Sequence, residues 1–202
     1  MDLGTLKRNY IEAVYRTKAF LIKEESFDLQ SGGKSHLYLN HRNFLACREY
    51  LELVARTYLK LLEGKVDRYK LCAVDSTMSP VIVGAMSLLS GKDLVIVKSK
   101  KAEHGTKDDL YGDISGEIVI IDDMSSTGGT LLGAARKIRE KEASVRYAVV
   151  STCRDQAAHR NLAREGIELL NITFFEEIIK HLMPALTPQE KDLARREYPN
   201  HL

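Results

Sequence analysis

The sequence predicts an α/β fold built on a mainly parallel β-sheet flanked by helices. Four short apolar runs lead to this, Leu71 to Val74, Leu94 to Val97, Ile118 to Ile121 and Tyr147 to Thr152. They are nearly continuous rather than alternating, as strands covered on both faces are. Helical periodicity fills the intervals near 80–90 and 130–141. Strands that alternate with helices form βαβ units, whose right-handed crossovers make neighbouring strands parallel.

The remaining elements follow in order. Leu6, Tyr10, Ala13 and Val14 recur at helical spacing and predict an amphipathic N-terminal helix. Phe27 and Leu29, then Leu37 and Leu39, alternate on either side of Ser31-Gly32-Gly33, which predicts two short strands joined by a turn. From about Glu49 to Leu62 the period is helical again, with Gly64 as its stop. Further α and β patterns follow Thr152, and Thr187-Pro188-Gln189-Glu190 opens a polar C-terminal helix. No internal repeat or linker divides the chain, so one domain is expected.

Composition narrows the function. A length of 202 residues suits one ordinary domain, and 44% hydrophobic with 29% charged residues suits a soluble globular protein. Thirty Lys and Arg against 28 Asp and Glu leave a net charge of +2, which excludes nucleic-acid binding by bulk charge. No helix-turn-helix or basic arm is evident, so no nucleic-acid partner is expected. Cys47, Cys72 and Cys153 are odd in number and form no CxxC, so neither a disulfide framework nor a zinc cluster is expected. That usage fits a reducing cytoplasm. The opening MDLGTLKRNYIEAVYRTKAF lacks the apolar core of a signal peptide. No run approaches the roughly 20 apolar residues of a membrane span, so no membrane association is expected.

The chemistry lies in Ile118-Val119-Ile120-Ile121-Asp122-Asp123-Met124-Ser125-Ser126-Thr127-Gly128-Gly129-Thr130. A buried strand ends in two carboxylates, then a turn rich in hydroxyls and glycine, then a helix. In open α/β sheets, ligands sit beyond the carboxyl ends of the strands. The hydroxyls of Ser126, Thr127 and Thr130, the backbone N–H groups and the helix N-terminus together make a phosphate cradle. Neither GxxxxGK[ST] nor GxGxxG occurs, so this is neither a nucleotide P-loop nor a dinucleotide fingerprint. Carboxylates repel phosphate, so the acidic pair should face another part of the ligand. Acceptor-only groups suit a vicinal diol. A phosphate with a cis-diol nearby describes a ribose 5-phosphate.

This string resembles the phosphoribosyl-pyrophosphate (PRPP) motif of type I phosphoribosyltransferases. The resemblance implies a doubly wound, mainly parallel five-stranded sheet with a small N-terminal hood. The hood would span about 1–45 plus part of the C-terminal region, and the core about 46–153. It implies that Asp122 and Asp123 hold the ribose hydroxyls while Ser125, Ser126, Thr127, Gly128, Gly129 and Thr130 bind the 5-phosphate side. Phe27-x-Leu29-x-Ser31-Gly32-x-x-Ser35-x-x-Tyr38 is similar to the hood of orotate phosphoribosyltransferases. Arg154-Asp155-Gln156 is similar to their R-E-Q segment, whose arginine contacts the orotate carboxylate. An arginine fork suits a planar carboxylate. Base binding is thus implied for Arg154 and for hood backbone near Leu37 and Tyr38.

Lys98-Ser99-Lys100-Lys101-Ala102-Glu103-His104-Gly105 resembles the mobile loop, R-K-x-x-K-x-H-G, that serves the departing pyrophosphate. The resemblance therefore implies catalytic roles for Asp122, Asp123, Lys101 and His104, and PRPP contacts for Lys98, Lys100, Asp75 and Ser76. It further implies Mg²⁺ bound through substrate and waters rather than by direct protein ligands, and a homodimer in which loop 98–110 acts across the interface. The implied reaction is transfer of ribose 5-phosphate from PRPP to orotate, yielding orotidine 5′-monophosphate and pyrophosphate.

The departures from pattern are specific. Lys98 stands for the arginine, Ser99 for the following lysine, and the third lysine moves to Lys101 with Ala102 in its place. Gln30 replaces a hood lysine, and Ala73 to Pro80 lacks the central glycines of G-x-x-x-G-G-x-P and adds Asp75. Those losses restrict the backbone where an anion must come close. Two alternatives stay open: a diverged transferase for another base, and a PRPP- or nucleotide-binding regulator with weak or no catalysis.

Overall fold

The structure is a computed structural model that describes residues 1–28, 32–98 and 108–199. The chain opens with helix α1 (Leu3–Arg16), capped by the Asp2 carboxylate, which accepts from Thr5 N–H at 3.0 Å. Its buried face holds Leu6, Tyr10, Ala13 and Val14, the positions that predicted it, with Ile11 beside them. The hood hairpin pairs β1 (Phe20–Asp28) with β2 (Lys34–Leu39) antiparallel, Phe20 facing Leu39. Its first strand begins earlier than Phe27, because Phe20 and Ile22 also pack on the core. A short helix α2 (His41–Leu45), which the sequence pattern did not suggest, then leads into α3 (Arg48–Leu62).

The sheet follows. In chain order come β3 (Lys70–Ala73), α4 (Ser79–Ser90), β4 (Leu94–Val97), β5 (Leu110–Tyr111), β6 (Glu117–Ile121), β7 (Met124–Ser125), α5 (Gly129–Arg139) and β8 (Ser144–Cys153). They are followed by α6 (Ala157–Arg164), β9 (Glu168–Phe174), α7 (Phe175–Leu182) and α8 (Pro188–Glu197). Strands β4, β3, β6, β8 and β9 lie side by side in that order, all parallel. The two-residue β5 pairs antiparallel on the β4 edge, and β7 pairs parallel with the end of β8. The fifth long strand lies past residue 153, so the sheet extends beyond the 46–153 span expected for the core.

Both faces of the sheet are covered, which explains the unbroken apolar runs. Val119 and Ile121 pack toward α1, α3 and α4, while Ile118 and Ile120 pack toward α5 and α6. All four are fully buried. From β3 the chain first adds β4 on one side and later β6 on the other. The direction of winding reverses between β3 and β6, and at such a switch point the loops leaving neighbouring strands diverge and open a crevice.

Candidate active site

A cavity of about 800 Å³ occupies that crevice. Asp75 to Met78 line it from the loop after β3, Asp122 to Leu131 from the segment after β6, and Arg154 from the end of β8. The hood closes it with Asp28, Tyr38 and Leu39, and α2 adds His41 and Arg42.

The turn before α5 is shaped by one glycine. Gly128 sits at φ 84° as the residue preceding the helix. A Cβ there would lie 2.3 Å from Leu162 Cδ1 of α6. The same helix supports the loop from below, with Asn161 Nδ2 donating to the Thr127 carbonyl at 2.9 Å. The Ser126–Thr130 backbone is thereby held so that the α5 N-terminus faces the cavity, the geometry that receives an anion.

The two carboxylates beside it differ sharply. Asp122 is buried and its Oδ1 accepts from Ser76 Oγ at 2.8 Å and from Asp123 N–H at 2.9 Å. The Tyr58 hydroxyl donates to its carbonyl at 2.8 Å. Burial, and then the charge of Asp123, push the Asp122 carboxyl up to about 8. Burial acts on Asp123 in the same direction, yet the His41 imidazole beside it prevails and holds it below the ordinary carboxylate value. His41 Nδ1 lies 3.2 Å from Asp123 Oδ2. The two carboxyls are thus pushed in opposite directions, Asp122 toward its neutral form and Asp123 toward its ionised one, and Asp123 is the group better able to accept from a diol or from metal-bound water. Such oxygen donors suit a hard divalent cation.

His41, with Asp28 and Arg42 on the cavity wall, is a member of the site that sequence reasoning missed. It is buried, and its Nε2 lies 2.8 Å from the Tyr10 hydroxyl and 3.0 Å from Ser151 Oγ. Ser151 Oγ donates to the Asp123 carbonyl at 2.5 Å, and Tyr10 also meets Thr152 Oγ1 at 2.8 Å. Tyr10 reads in the sequence as a helix core position, and no local spacing joins it to His41 or to Asp123.

The loop lacking glycines is held by serines instead. Ser79 Oγ accepts from Val74 N–H at 2.9 Å and donates to the Ile121 carbonyl at 2.5 Å, and Ser79 N–H donates to Ser76 Oγ at 3.2 Å. This latch ties the loop to β6 and brings Asp75 and Ser76 to the cavity wall.

The other expected site residues are placed as follows. Arg154 and Tyr38 line the cavity. Leu37 does not: its side chain is wholly buried in the core, and Leu39 lines the wall instead. Lys98 is exposed at the end of β4 and away from the cavity lining, its N–H donating to the Asp109 carbonyl at 2.8 Å. Lys100, Lys101 and His104 lie outside the described residues, as do Ser99, Ala102, Glu103, Gly105, Leu29, Gln30 and Ser31.

The raised Asp122 carboxyl predicts a pH dependence. Folding favours its neutral form, so its contribution to stability is complete below the unfolded value of about 4 and is lost as pH rises through about 8. Asp122→Asn removes that loss. Without ligand, its melting temperature relative to the native protein is expected to rise between about pH 5 and about pH 8. A difference that stays flat across this range contradicts the assignment.

No protein-family model matches the sequence. Among solved structures, the chain is similar to the orotate phosphoribosyltransferase of Aeropyrum pernix, with a TM-score of 0.75 and 24% identity over 86% of this chain and 97% of that one. It is also similar to an adenine phosphoribosyltransferase, with a TM-score of 0.61 and 14% identity over 81% of this chain and 99% of that one. The fold is therefore that of the type I phosphoribosyltransferases.

Sequence relatives resolve the class further. The orotate phosphoribosyltransferase of Methanocaldococcus jannaschii is 30% identical over 159 residues, 78% of this chain and 89% of that protein. The enzyme of the same name from Methanopyrus kandleri is 30% identical over 159 residues, 78% and 84% of the two chains. The chain belongs to the orotate phosphoribosyltransferase family.

Proposed function

We propose that this protein transfers the ribose 5-phosphate group of PRPP to a ring nitrogen of orotate, giving orotidine 5′-monophosphate and pyrophosphate for pyrimidine nucleotide biosynthesis. The observation that carries this is the convergence on one cavity of the ionised Asp123, the Ser126–Thr130 cradle and Arg154. These match in turn a diol, a phosphate and a base carboxylate.

The nitrogen lone pair forms the bond to C1 of the ribose as the bond from C1 to the pyrophosphate oxygen breaks; pyrophosphate leaves with that electron pair, and the proton the nitrogen carried passes to the departing pyrophosphate or to water. Charge builds on the sugar ring and on the leaving group, so positioning and fixed electrostatics supply most of the catalysis. Asp123 orients the ribose hydroxyls, with His41 fixing its carboxylate, and the neutral Asp122 donates where Asp123 accepts. The cradle anchors the 5-phosphate. Arg154 receives the base carboxylate, while Tyr38 and neighbouring hood backbone bound the ring. Ser76 and Asp75 face the pyrophosphate side, and Lys98, Lys100, Lys101 and His104 neutralise the departing charge. Bound Mg²⁺, held through substrate oxygens and waters, would supply Lewis-acid stabilisation of the leaving pyrophosphate.

The chain acts as one domain, a hood formed by 1–45 and part of the C-terminal region over the sheet core. It works as a homodimer, with loop 98–110 serving the neighbouring site. In support, α4 leaves Val81, Leu88 and Leu89 exposed, Leu88 at 91%, and Leu94 is exposed at the start of β4. A cluster of this kind marks a contact surface, and the sedimentation mass is its check. No described helix is long and apolar enough to cross a membrane, and the free cysteines suit a cytoplasmic setting.

Consumption of PRPP measured against a panel of bases tests the reading. Turnover is expected with orotate and not with uracil, adenine or hypoxanthine. Turnover with one of these in place of orotate gives a transferase of different base specificity, and PRPP binding with no turnover on any base gives a regulator.

A further inference from the structure

We infer that Glu197, in the last turn of α8, is the positioning residue that holds Arg154 ready for the base carboxylate. The inference rests on the proposed use of Arg154 in base binding and adds to it a role for the C-terminal helix.

The Glu197 carboxylate joins three partners. One oxygen accepts from the His36 N–H on β2. The other accepts from Ser35 Oγ at 2.5 Å and from Arg154 Nη2 at 3.3 Å. Arg154 Nη2 also donates to Ser35 Oγ, and Leu37 N–H donates to that same hydroxyl at 3.0 Å. One carboxylate thus ties the last turn of α8, the hood strand and the arginine together. The Arg154 and Glu197 side chains are only 12% and 19% exposed, so the ion pair is shielded from much of the solvent screening.

Two aromatic rings complete the clamp. The Arg154 guanidinium lies 4.8 Å from the Phe175 ring centroid. Tyr198, the residue after Glu197, stacks on Phe175 at 6.0 Å and donates its hydroxyl to the Arg154 carbonyl at 3.4 Å. Arg154 lines the cavity, but neither Glu197 nor Ser35 does. Glu197 therefore works from behind the arginine, through it rather than on the ligand. Both side-chain hydrogen bonds of Arg154 use Nη2, which leaves Nε and Nη1 without a protein partner among the described residues.

A free arginine side chain loses much rotamer freedom when it binds a carboxylate. Here that freedom is lost on folding, so less must be lost on binding. The clamp also fixes the distance between Arg154 and the hood strand that carries Tyr38, so base recognition depends on a helix outside the sheet.

The test separates base from sugar. In steady-state assays, Glu197→Gln is expected to raise the KM for orotate by about tenfold, the scale of a hydrogen bond to a charged group, with the KM for PRPP changed less than about twofold. Glu197→Asp recovers part of the loss. Ser35→Ala, which removes the hydroxyl shared by the pair, moves the orotate KM in the same direction by less, and thermal melts verify folding of each variant. An orotate KM that is unchanged or lowered in Glu197→Gln overturns the inference, a lowered one showing that Glu197 competes with the base. Equal rises in both KM values also overturn it, by showing a general structural role. Arg154→Ala separates the two levels. If it too leaves the orotate KM unchanged, the base-site reading fails; if it raises that KM while Glu197→Gln does not, the inference alone fails.

Discussion

Exchanging Asp123 for asparagine is expected to weaken PRPP binding by about one to two orders of magnitude, the range of a hydrogen bond to a charged group. Asp123 is the member of the acidic pair held ionised, through His41 Nδ1 at 3.2 Å. The neutral amide keeps the size of the carboxylate but gives up its charge and one acceptor oxygen, so ribose hydroxyls and metal-bound waters lose the group they donate to. Turnover is expected to fall with binding, because the same contact orients C1 toward the base. Calorimetry with PRPP and Mg²⁺ measures the effect, and a thermal melt verifies folding. Unchanged affinity would show that the diol assignment is wrong.

Gly128→Ala should give the largest loss of stability among single changes near the site. A left-handed backbone at φ 84° costs an alanine roughly 1–2 kcal/mol. Its Cβ would also stand 2.3 Å from Leu162 Cδ1, with the Ala158 backbone at 3.6 Å behind. Overpacking of this kind costs roughly 1–3 kcal/mol further. Together these give about 3 kcal/mol, or a melting temperature lower by roughly 6–12 °C for a chain of this size. Either the buried Leu162 side chain or the loop above it must shift to relieve the contact, and PRPP affinity should fall as the cradle is displaced. A melting temperature within about 2 °C of the native value contradicts this account of the turn. Gly128→Ala combined with Leu162→Ala should recover the cradle in part, since removing the leucine clears the clash but not the backbone strain.

The sheet was legible because its physics is local. Residues 118–121 must be apolar at every position when both faces of a strand are covered, and that run needs no partner to be recognised. The cradle was legible for the same reason, since a strand end, two acids, a hydroxyl-rich turn and a helix start are consecutive. What escaped depends on contacts between distant segments. His41 meets Asp123, and Glu197 meets Ser35, His36 and Arg154, across long stretches of chain. Nothing in a five-residue helix such as His41–Leu45 announces such a contact. The difference between Asp122 and Asp123 was hidden likewise, because two adjacent, identical residues, both pushed up by burial, part only through the histidine beside Asp123 and the charge of Asp123 on Asp122. The glycines that the Ala73–Pro80 loop lacks are local, whereas the serine latch that secures it in their absence joins Ser79 to both Val74 and the distant Ile121.

On the proposed function, cradle, carboxylate and arginine converge to perform transfer to orotate. Incubating the purified protein with PRPP, Mg²⁺ and orotate and quantifying orotidine 5′-monophosphate by chromatography tests it most directly. The prediction is orotate-dependent product matched one for one by released pyrophosphate. PRPP that binds, yet yields no orotidine 5′-monophosphate at saturating orotate, would contradict it.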